Sequence, residues 1–380
     1  MLMNCWYVAA DAIDVTTEPK GVHMLGQDLV VFRDSAGKAH CLSDVCVHRG
    51  GSLCRGKVVE GTVECPYHGW RFDGDGNCVA IPSLGPDATI PKRARIDSYP
   101  VEEKYGWIWV FLGNAPEAER PPMPDYFPEY EAYEKGETDE WAFVRGNFIF
   151  ECNWVRAIEN GSDHTHAYFV HTDFGSPDSP VASDYDLDID EAKIESVGYA
   201  TPTEKRGVWA EKIDTNRPDV RTMVHINKPA PSIRIEMHLK PPMWQMIVSG
   251  YTPIDESRTR VWFCQGRNFF TDPKYDADSR RRVLLVFQED AKVIDHIRPA
   301  MVPPTLSDEL ALENDKHGIE FRKWVKSQEE IGRAIDLKAA EGEDEMVTVI
   351  PSPARHDDPK NWVLDPVATK KPRILREAAE

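Results

Sequence analysis

The stretch from Cys46 to Phe72 constrains this chain more than any other part of its sequence. One arm reads Cys46-x-His48 and a second reads Cys65-x-x-His68, with residues 49–64 between them. Two thiolates and two imidazoles can together hold a [2Fe–2S] cluster in which two histidines ligate one of the irons. The tight turns that such ligand loops need are supplied by four glycines: Gly50, Gly51, Gly61 and Gly69.

A structural zinc ion also accepts two cysteines and two histidines, so the ligand types alone leave two kinds of site open. A zinc finger usually pairs C-x-x-C with H-x3–5-H, whereas each arm here mixes the two ligand types and is not helical. This mixture favours the iron–sulfur cluster, and at these residues the chain resembles the Rieske proteins. The Rieske proteins of respiratory complexes carry a disulfide at positions that are Gly51 and Tyr67 here. The resemblance is therefore to the lower-potential form of ring-hydroxylating oxygenases and their ferredoxins.

Length and composition limit the kind of protein. A chain of 380 residues, of which 41% are hydrophobic and 10% aromatic, can form two domains with substantial cores. No apolar run reaches 18 residues, and the start, MLMNCWYVAADAIDV, lacks a basic region followed by an apolar run. We therefore expect neither a transmembrane helix nor a secretory signal. The cysteines outside the arms show no paired framework, which is typical of a reducing compartment and predicts a cytoplasmic protein.

The formal net charge of −19 argues against nucleic acid and anionic membranes as partners. The balance reverses locally, because four basic residues flank the two arms: Arg49, Arg55, Lys57 and Arg71. This basic cluster is suited to docking an acidic electron donor, and it equally fits ordinary solvated surface charge.

The chain divides into three predicted segments. Residues 1–115 predict a small all-β domain with the arms at one tip, because turns separate short β-like runs. Residues 116–140 are rich in Pro and Glu and predict an extended linker. Residues 141–380 mix sheet with helices at 276–297 and near 318–340, so the fold class is α+β. An antiparallel sheet is predicted from five alternating segments: 207–213, 221–227, 232–239, 243–252 and 259–267.

A second set of ligand types lies in residues 153–171, which predict a helix. His166 and His171, with one distant carboxylate, would form the facial triad that binds Fe(II) in non-heme oxygenases. Five residues turn a regular helix by about 500°, so the two imidazoles would point about 140° apart. We therefore expect an irregular helix, with a π-bulge near Gly161. Alone this pattern is weak, since histidine-rich helix ends are common at protein surfaces.

With both sets of ligands present, the chain resembles the Rieske non-heme iron oxygenases, most specifically at 46–72 and 160–171. The resemblance implies four cluster ligands: Cys46, His48, Cys65 and His68. It implies two histidine ligands of a mononuclear iron: His166 and His171. His164 is the alternative to His166, which the spacing from Asp163 favours.

The resemblance also assigns carboxylates. In the family, the aspartate before the first histidine is not a ligand. It connects that histidine to a cluster-ligating histidine of a neighbouring subunit, which implies a role of this kind for Asp163 and His68. The carboxylate ligand of the iron is expected in the helix after the sheet, where Asp290 is favoured over Glu289 and Asp295. Asn160 is either a further polar residue near the iron or a helix hydrogen-bonding residue.

The family resemblance implies a function and an assembly. The chain is expected to be a terminal oxygenase that hydroxylates or oxidatively demethylates an aromatic or polycyclic molecule with O2. Its electrons would come from NAD(P)H through a separate reductase, with or without a ferredoxin, since no G-x-G-x-x-G follows a strand here. A head-to-tail homotrimer is implied, with a helix-grip sheet around an apolar cavity in the C-terminal domain. The alternatives are a cis-dihydroxylating dioxygenase and, more remotely, a protein that only transfers electrons.

Overall fold

The computed structural model of this chain describes residues 1–171, 177, 180, 186–200, 220–337 and 347–370. The chain divides into two compact units, the first of Met1–Met123 with Val325–Glu380 and the second of Pro124–Trp324. The predicted division at 115 and 140 differs from this one mainly at the C-terminus. Val325–Glu380, expected within the domain 141–380, groups with the first unit.

The N-terminal part of the first unit is built from short antiparallel strands, as expected for an all-β domain. They are β1 (Cys5–Asp11), β2 (Lys20–Met24), β3 (Gln27–Arg33), β4 (Ala39–Ser43), β5 (Lys57–Val59), β6 (Thr62–Glu64), β7 (Arg71–Phe72), β8 (Cys78–Ala80), β9 (Ser98–Tyr99), β10 (Val101–Lys104) and β11 (Trp107–Leu112). They form three sheets with the orders β1-β11-β10, β2-β3-β4-β9 and β5-β6-β7-β8. Strand β11 is buried along its whole length, because its continuous apolar run, WIWVFL, faces packed neighbours on both sides.

The second unit is one large antiparallel sheet with helices against it. Its elements are α1 (Pro128–Glu134), β12 (Ala142–Phe150), α2 (Trp154–Ser162), α3 (Ala167–Val170), β13 (Asp186–Ile189), β14 (Lys193–Ala200), β15 (Val220–Asn227), β16 (Ser232–Lys240), β17 (Met243–Pro253), β18 (Thr259–Arg267) and α4 (Asp276–Ile294). Helix α5 (Lys316–Glu330) begins in this unit and crosses the boundary between the two units at Trp324. The strand order is β12-β18-β17-β16-β15-β14-β13. Helix α2 packs on the central strands β15, β16 and β17, while α4 packs on β12 and touches α2. This arrangement confirms the α+β class and the predicted antiparallel sheet with helices; the segment 207–213 lies outside the described residues.

Residues 124–134, which we expected in an extended linker, pack on this sheet instead. The Tyr126 hydroxyl donates to Ser232 Oγ at 2.6 Å. The buried Arg234 guanidinium of β16 donates to both carboxylate oxygens of Glu129, at 2.9 and 3.0 Å. Because a buried guanidinium must be paired, this ion pair draws the segment onto the sheet.

The helix predicted near 318–340 ends earlier than expected within the described residues, and positions 338–340 lie outside them. Helix α5 ends at Glu330, and Gly332 follows in the left-handed region with φ 76°. Glycine adopts this conformation readily and commonly follows a helix end. The next residues pair in extended form, with Ala334 bridging to Leu2 and Ile335 to Thr369.

The C-terminal segment 347–370 adds the parallel pair β19 (Thr348–Val349) and β20 (Asp365–Pro366) and the short helix α6 (Ala354–Asp357) to the first unit. Asp97, buried in that unit, accepts two hydrogen bonds from the Arg355 guanidinium at 2.7 Å each. The Trp362 ring lies under two guanidinium groups, with Arg95 Cζ at 4.0 Å and Arg355 Cζ at 4.4 Å. These charged and aromatic contacts explain why the segment groups with the first unit.

Within the described part of the chain, no helix combines the length and apolar character needed to cross a bilayer.

Candidate metal centres

The two arms of the first unit fold into loops with the same backbone hydrogen bonds. In the first, Gly50 N–H donates to Cys46 O at 2.8 Å, and Cys46 N–H donates to Gly51 O at 2.9 Å. In the second, Gly69 N–H donates to Cys65 O at 3.0 Å, and Cys65 N–H donates to Trp70 O at 2.8 Å. Gly50 and Gly69 have φ values of 69° and 72°, a region that favours glycine. The repeated turn presents one cysteine and one histidine from each loop.

The four side chains of the loops face one another. Cys46 and Cys65 are buried, and the rings of His48 and His68 lie 4.4 Å apart between centroids. The Trp70 ring stacks on His48 at 4.6 Å and fixes its plane. At Gly51 a Cβ atom would lie 2.9 Å from Cys65 Sγ, so the first loop approaches the second too closely for a side chain. His68 remains exposed at the tip.

The chemistry of these donors fits an iron–sulfur cluster. His48 Nδ1 is enclosed and has no hydrogen-bond partner among the described residues, as expected for an atom reserved for a metal. Burial raises the pKa of the Cys46 thiol to about 12, so bound metal must supply the charge that makes it a thiolate.

The spacing of the donors does not fit zinc. A tetrahedral zinc ion holds its ligand atoms within about 4 Å of one another. Among the residues that the structure describes, only His166, His171 and Asp290 bring three such atoms within 4.8 Å of each other. The arms are therefore spaced for a group larger than a single ion.

The second centre lies in the other unit, where those three residues converge. His166 Nε2 and His171 Nε2 lie 3.5 and 3.4 Å from Asp290 Oδ1. Asp290 is 3% exposed, and its Oδ1 has no hydrogen-bond partner in the described parts of the chain. A buried carboxylate oxygen facing two imidazole nitrogens suits a divalent cation of the Fe(II) type.

The backbone reaches this geometry differently from the predicted irregular helix. The prediction of a π-bulge near Gly161 is wrong: α2 ends at Ser162, and Asp163 is extended with φ −73° and ψ 129°. His166 precedes the short helix α3 and His171 follows it in extended conformation. Gly161 instead allows α2 to pack closely on β17, because a Cβ there would lie 2.2 Å from the Tyr251 hydroxyl oxygen. Two breaks in the helix, rather than one bulge, bring the imidazoles together.

Asp163 contacts the Nδ1 side of His166, and hydrogen bonds from the turn that follows it fix its carboxylate. Its Oδ1 accepts from Thr165 N–H at 2.7 Å and Thr165 Oγ1–H at 2.8 Å, and its Oδ2 accepts from His166 N–H at 3.1 Å. His166 Nδ1 lies 3.4 Å from Asp163 Oδ2, which is within ion-pair range. Although burial opposes it, the pKa of Asp163 is lowered by His166 and Thr165.

The two histidines differ electrostatically. Burial would lower the pKa of His166, but the carboxylates of Asp163 and Asp290 outweigh it and raise the pKa to about 9. For His171, burial dominates and lowers the pKa. The buried site thus attracts positive charge at His166, and a metal dication would supply that charge in place of a proton.

The alternative iron ligands considered from the sequence are His164, Asp295 and Glu289. The first two lie apart from the three converging residues, and Glu289 contacts one of them. His164 Nε2 is 2.9 Å from Ser196 Oγ on β14, and burial, followed by the charge of His317, lowers the pKa of His164 to about 4. Asp295 caps the end of α4. Glu289 is buried, and its Oε2 lies 3.2 Å from His171 Nδ1, so it orients that imidazole. The sequence indicates Glu289 only as an alternative ligand; its position beside Asp290 is the signal for this supporting role.

A cavity of about 410 Å³ adjoins this centre at His166. Asn160, Asp163 and His166 line it together with residues of α5 and the segment before it. Asn160 therefore lies in the surroundings of His166, and its backbone oxygen also accepts from Asp163 N–H at 3.3 Å.

Comparison with known proteins agrees with these two centres. Residues 5–100 match the Rieske [2Fe-2S] domain model, and residues 150–330 match the vanillate O-demethylase oxygenase C-terminal domain model. The fold is similar to that of dicamba monooxygenase bound to 3,6-dichlorosalicylic acid, with a TM-score of 0.71 at 23% identity over 90% of this chain and 99% of that one.

Two relatives differ in how much of them the chain matches. Methylxanthine N3-demethylase NdmB of Pseudomonas putida is 29% identical over 86% of this chain and 85% of its own length. The phenoxybenzoate dioxygenase α subunit of Ectopseudomonas oleovorans is 37% identical, but over 46% of this chain and 44% of its own length. The chain spans about half the length, or less, of several relatives that it matches.

Proposed function

Because the chain belongs to the Rieske non-heme iron oxygenases, we propose that it is the terminal oxygenase component of a multicomponent system. In this proposal it hydroxylates or oxidatively demethylates an aromatic or polycyclic small molecule with O2. Electrons come from NAD(P)H through a separate reductase, with or without a ferredoxin. The observation that carries the proposal is the convergence of His166 and His171 on Asp290 Oδ1 in a chain that also has the two arms.

The proposal assigns two sets of ligands. The cluster is held by Cys46, His48, Cys65 and His68, and the mononuclear Fe(II) by His166, His171 and Asp290. When bound, the cluster stores one electron and the mononuclear iron activates O2 beside the substrate. Three protein ligands on one face of an ion leave the other positions open, as this chemistry requires.

The chain's own residues orient these ligands. Glu289 accepts from His171 Nδ1, which fixes the tautomer whose Nε2 faces Asp290. Asp163 accepts from the His166 backbone and faces its Nδ1. We assign Asp163 as the link between His166 of one chain and His68 of another. Asp163 suits this role because it contacts His166 and also lines the cavity beside that histidine.

In this proposal the chain forms a head-to-tail homotrimer, because a link between His68 of one chain and Asp163 of another requires a contact between chains. The loop tip of the first unit carries exposed Arg49, Tyr67 and His68. The lining of the cavity beside Asp163 includes Asp315 and the highly exposed Leu310, whereas Glu309 there is paired with Arg156 and Arg322. Across a head-to-tail contact, Tyr67 and Arg49 of the tip can meet the apolar Leu310 and the carboxylate of Asp315, and repeated contacts of this kind can close into a ring.

Demethylation or hydroxylation is favoured over ring dihydroxylation by the extent of the matches. The C-terminal model is named for an O-demethylase, and the N3-demethylase matches over most of its length. The second candidate function is cis-dihydroxylation. It is supported by the dioxygenase relative, but the match covers less than half of that relative's length.

The test begins with iron and acid-labile sulfide per chain and the EPR spectrum of the reduced protein. The proposal expects about three irons and two sulfides with a Rieske-type signal. Oxygen uptake with a general reductase is then measured with vanillate and a methylxanthine as probes. Formaldehyde release identifies demethylation, and a cis-diol product identifies the second candidate. A count of two irons per chain, with no mononuclear iron, would instead indicate a protein that only transfers electrons.

A further inference from the structure

A buried carboxylate lies at the base of the first ligand loop and has not been assigned a role above. Asp44 is 6% exposed and follows β4 directly. Its Oδ1 accepts from Cys54 N–H at 2.5 Å, and its Oδ2 accepts from Ser52 Oγ–H at 2.5 Å. Both donors lie on the far side of the loop that contains Cys46 and His48.

The Asp44 backbone closes the same loop. Leu53 N–H donates to Asp44 O at 2.9 Å, and Val45 bridges to Ser52 in antiparallel fashion. Asp44 N–H donates to Asp28 O at 3.0 Å, which connects the base of the loop to strand β3. Asp44 therefore joins the two ends of the ligand loop to each other and to the sheet.

Asp44 and Asp97 are the two buried aspartates among the described residues of this unit, and they differ in counter-charge. Asp97 is paired with Arg355 at 2.7 Å, and Asp34 with His40 at 2.9 Å. Across the described residues, no lysine, arginine or histidine forms an ion pair with Asp44. A buried carboxylate without a counter-charge is costly, so its compensation here comes from hydrogen bonds with Ser52 and Cys54.

Asp44 lies two residues before the proposed cluster ligand Cys46, and two residues of extended chain span at most about 7 Å. The Asp44 backbone is therefore within that distance of the Cys46 backbone. Adding an electron to a cluster adds negative charge, and a nearby buried negative charge disfavours that step.

We propose that Asp44 sets the reduction potential of the cluster, with its carboxylate both closing the ligand loop and keeping the potential low. This inference deepens the proposed function and rests on it, because it requires that the arms hold a Rieske cluster. A lower potential makes the reduced centre a stronger one-electron donor. Asp44 is a positioning residue, since it acts on the cluster through charge and loop geometry.

The test is an EPR-monitored redox titration of the full-length protein and its Asp44→Asn variant. Asparagine has the same shape, can accept from Cys54 N–H and can donate to Ser52 Oγ, so it removes the charge with little change in geometry. The expected result is an upward shift equal to a roughly tenfold change in the reduction equilibrium, about 59 mV for a one-electron couple. Asp34→Asn is the control, because Asp34 lies in the turn between β3 and β4, away from the end of β4 that Asp44 follows, and should leave the potential unchanged.

A second variant separates charge from loop structure. Ser52→Ala keeps the carboxylate but removes one hydrogen bond to it, so the potential should shift downward by a smaller amount. An unchanged potential in Asp44→Asn, or an upward shift in Ser52→Ala, overturns the inference. If Asp44→Asn fails to assemble a cluster, the direction of the Ser52→Ala shift decides. Absence of a Rieske-type signal in the unmodified protein would instead refute the cluster assignment itself.

Discussion

The two candidate metal centres use similar ligands but are built in opposite ways. The cluster loops are local structures, in which each arm brings a cysteine and a histidine together within four residues through one glycine turn. The mononuclear centre joins a broken helix to Asp290 on a helix that follows the sheet. The first therefore depends on backbone conformation and close approach, and the second on how helices α2 and α4 pack on the sheet. Substitutions in the two regions should differ accordingly.

The largest effect is expected from His166→Ala. Removing one of the three converging ligands should empty the mononuclear site, so iron should fall from about three to about two per chain while sulfide and the Rieske signal persist. Turnover should fall by more than about 10³-fold, because no open metal site remains. His164→Ala is the matched control and should retain all iron, since His164 bonds Ser196 instead. Loss of iron in the control alone would reverse the ligand assignment.

Asp163→Asn comes next and tests the link between the centres. Both metals should remain, because the ligands are untouched, while steady-state turnover falls by about 10²-fold or more through loss of the charge facing His166 Nδ1. Rapid-mixing measurement of cluster oxidation should locate the slow step between the centres. Asp315→Asn changes a carboxylate in the same cavity and should keep most activity. Normal turnover in Asp163→Asn would show that the link is misassigned.

A smaller effect is expected from Glu289→Gln. The amide can still accept from His171 Nδ1 but no longer supplies charge, so affinity for Fe(II) should fall by roughly tenfold or more. Iron titration of metal-depleted protein measures this directly, with Asp295→Asn on the same helix as the control. Equal loss of affinity in both variants would indicate a general charge effect rather than orientation of His171.

The smallest effects are expected from alanine substitutions at two neighbouring glycines of the first arm. Gly51→Ala places a Cβ 2.9 Å from Cys65 Sγ, so cluster content should fall and overpacking should cost about 1–3 kcal/mol. Gly50→Ala meets no atom within 4 Å and strains only the backbone at φ 69°, which costs about 1–2 kcal/mol. Sulfide content and thermal unfolding distinguish the two outcomes. Equal cluster content in both variants would mean that the close approach at Gly51 is relieved by a small shift of Cys65.

The sequence by itself was sufficient for features that local chemistry determines. The paired arms predicted the cluster loops because their ligands and glycines lie within a few residues of one another. The alternating segments predicted the strands β15 to β18, because a half-buried sheet imposes a period of two on its residues. The five-residue spacing of His166 and His171 correctly excluded a regular helix, because helical geometry separates such positions.

Only the tertiary structure decided features that depend on distant contacts. It brought Asp290 to the two histidines and placed Glu289 against His171 Nδ1. Helix periodicity does not decide which of these neighbouring carboxylates faces the histidines, whereas the packing of α4 does. It also drew residues 124–134 onto the sheet through Arg234, and the C-terminal segment onto the first unit through Asp97. Each depends on a buried charge finding a partner far away in sequence, which no local pattern encodes.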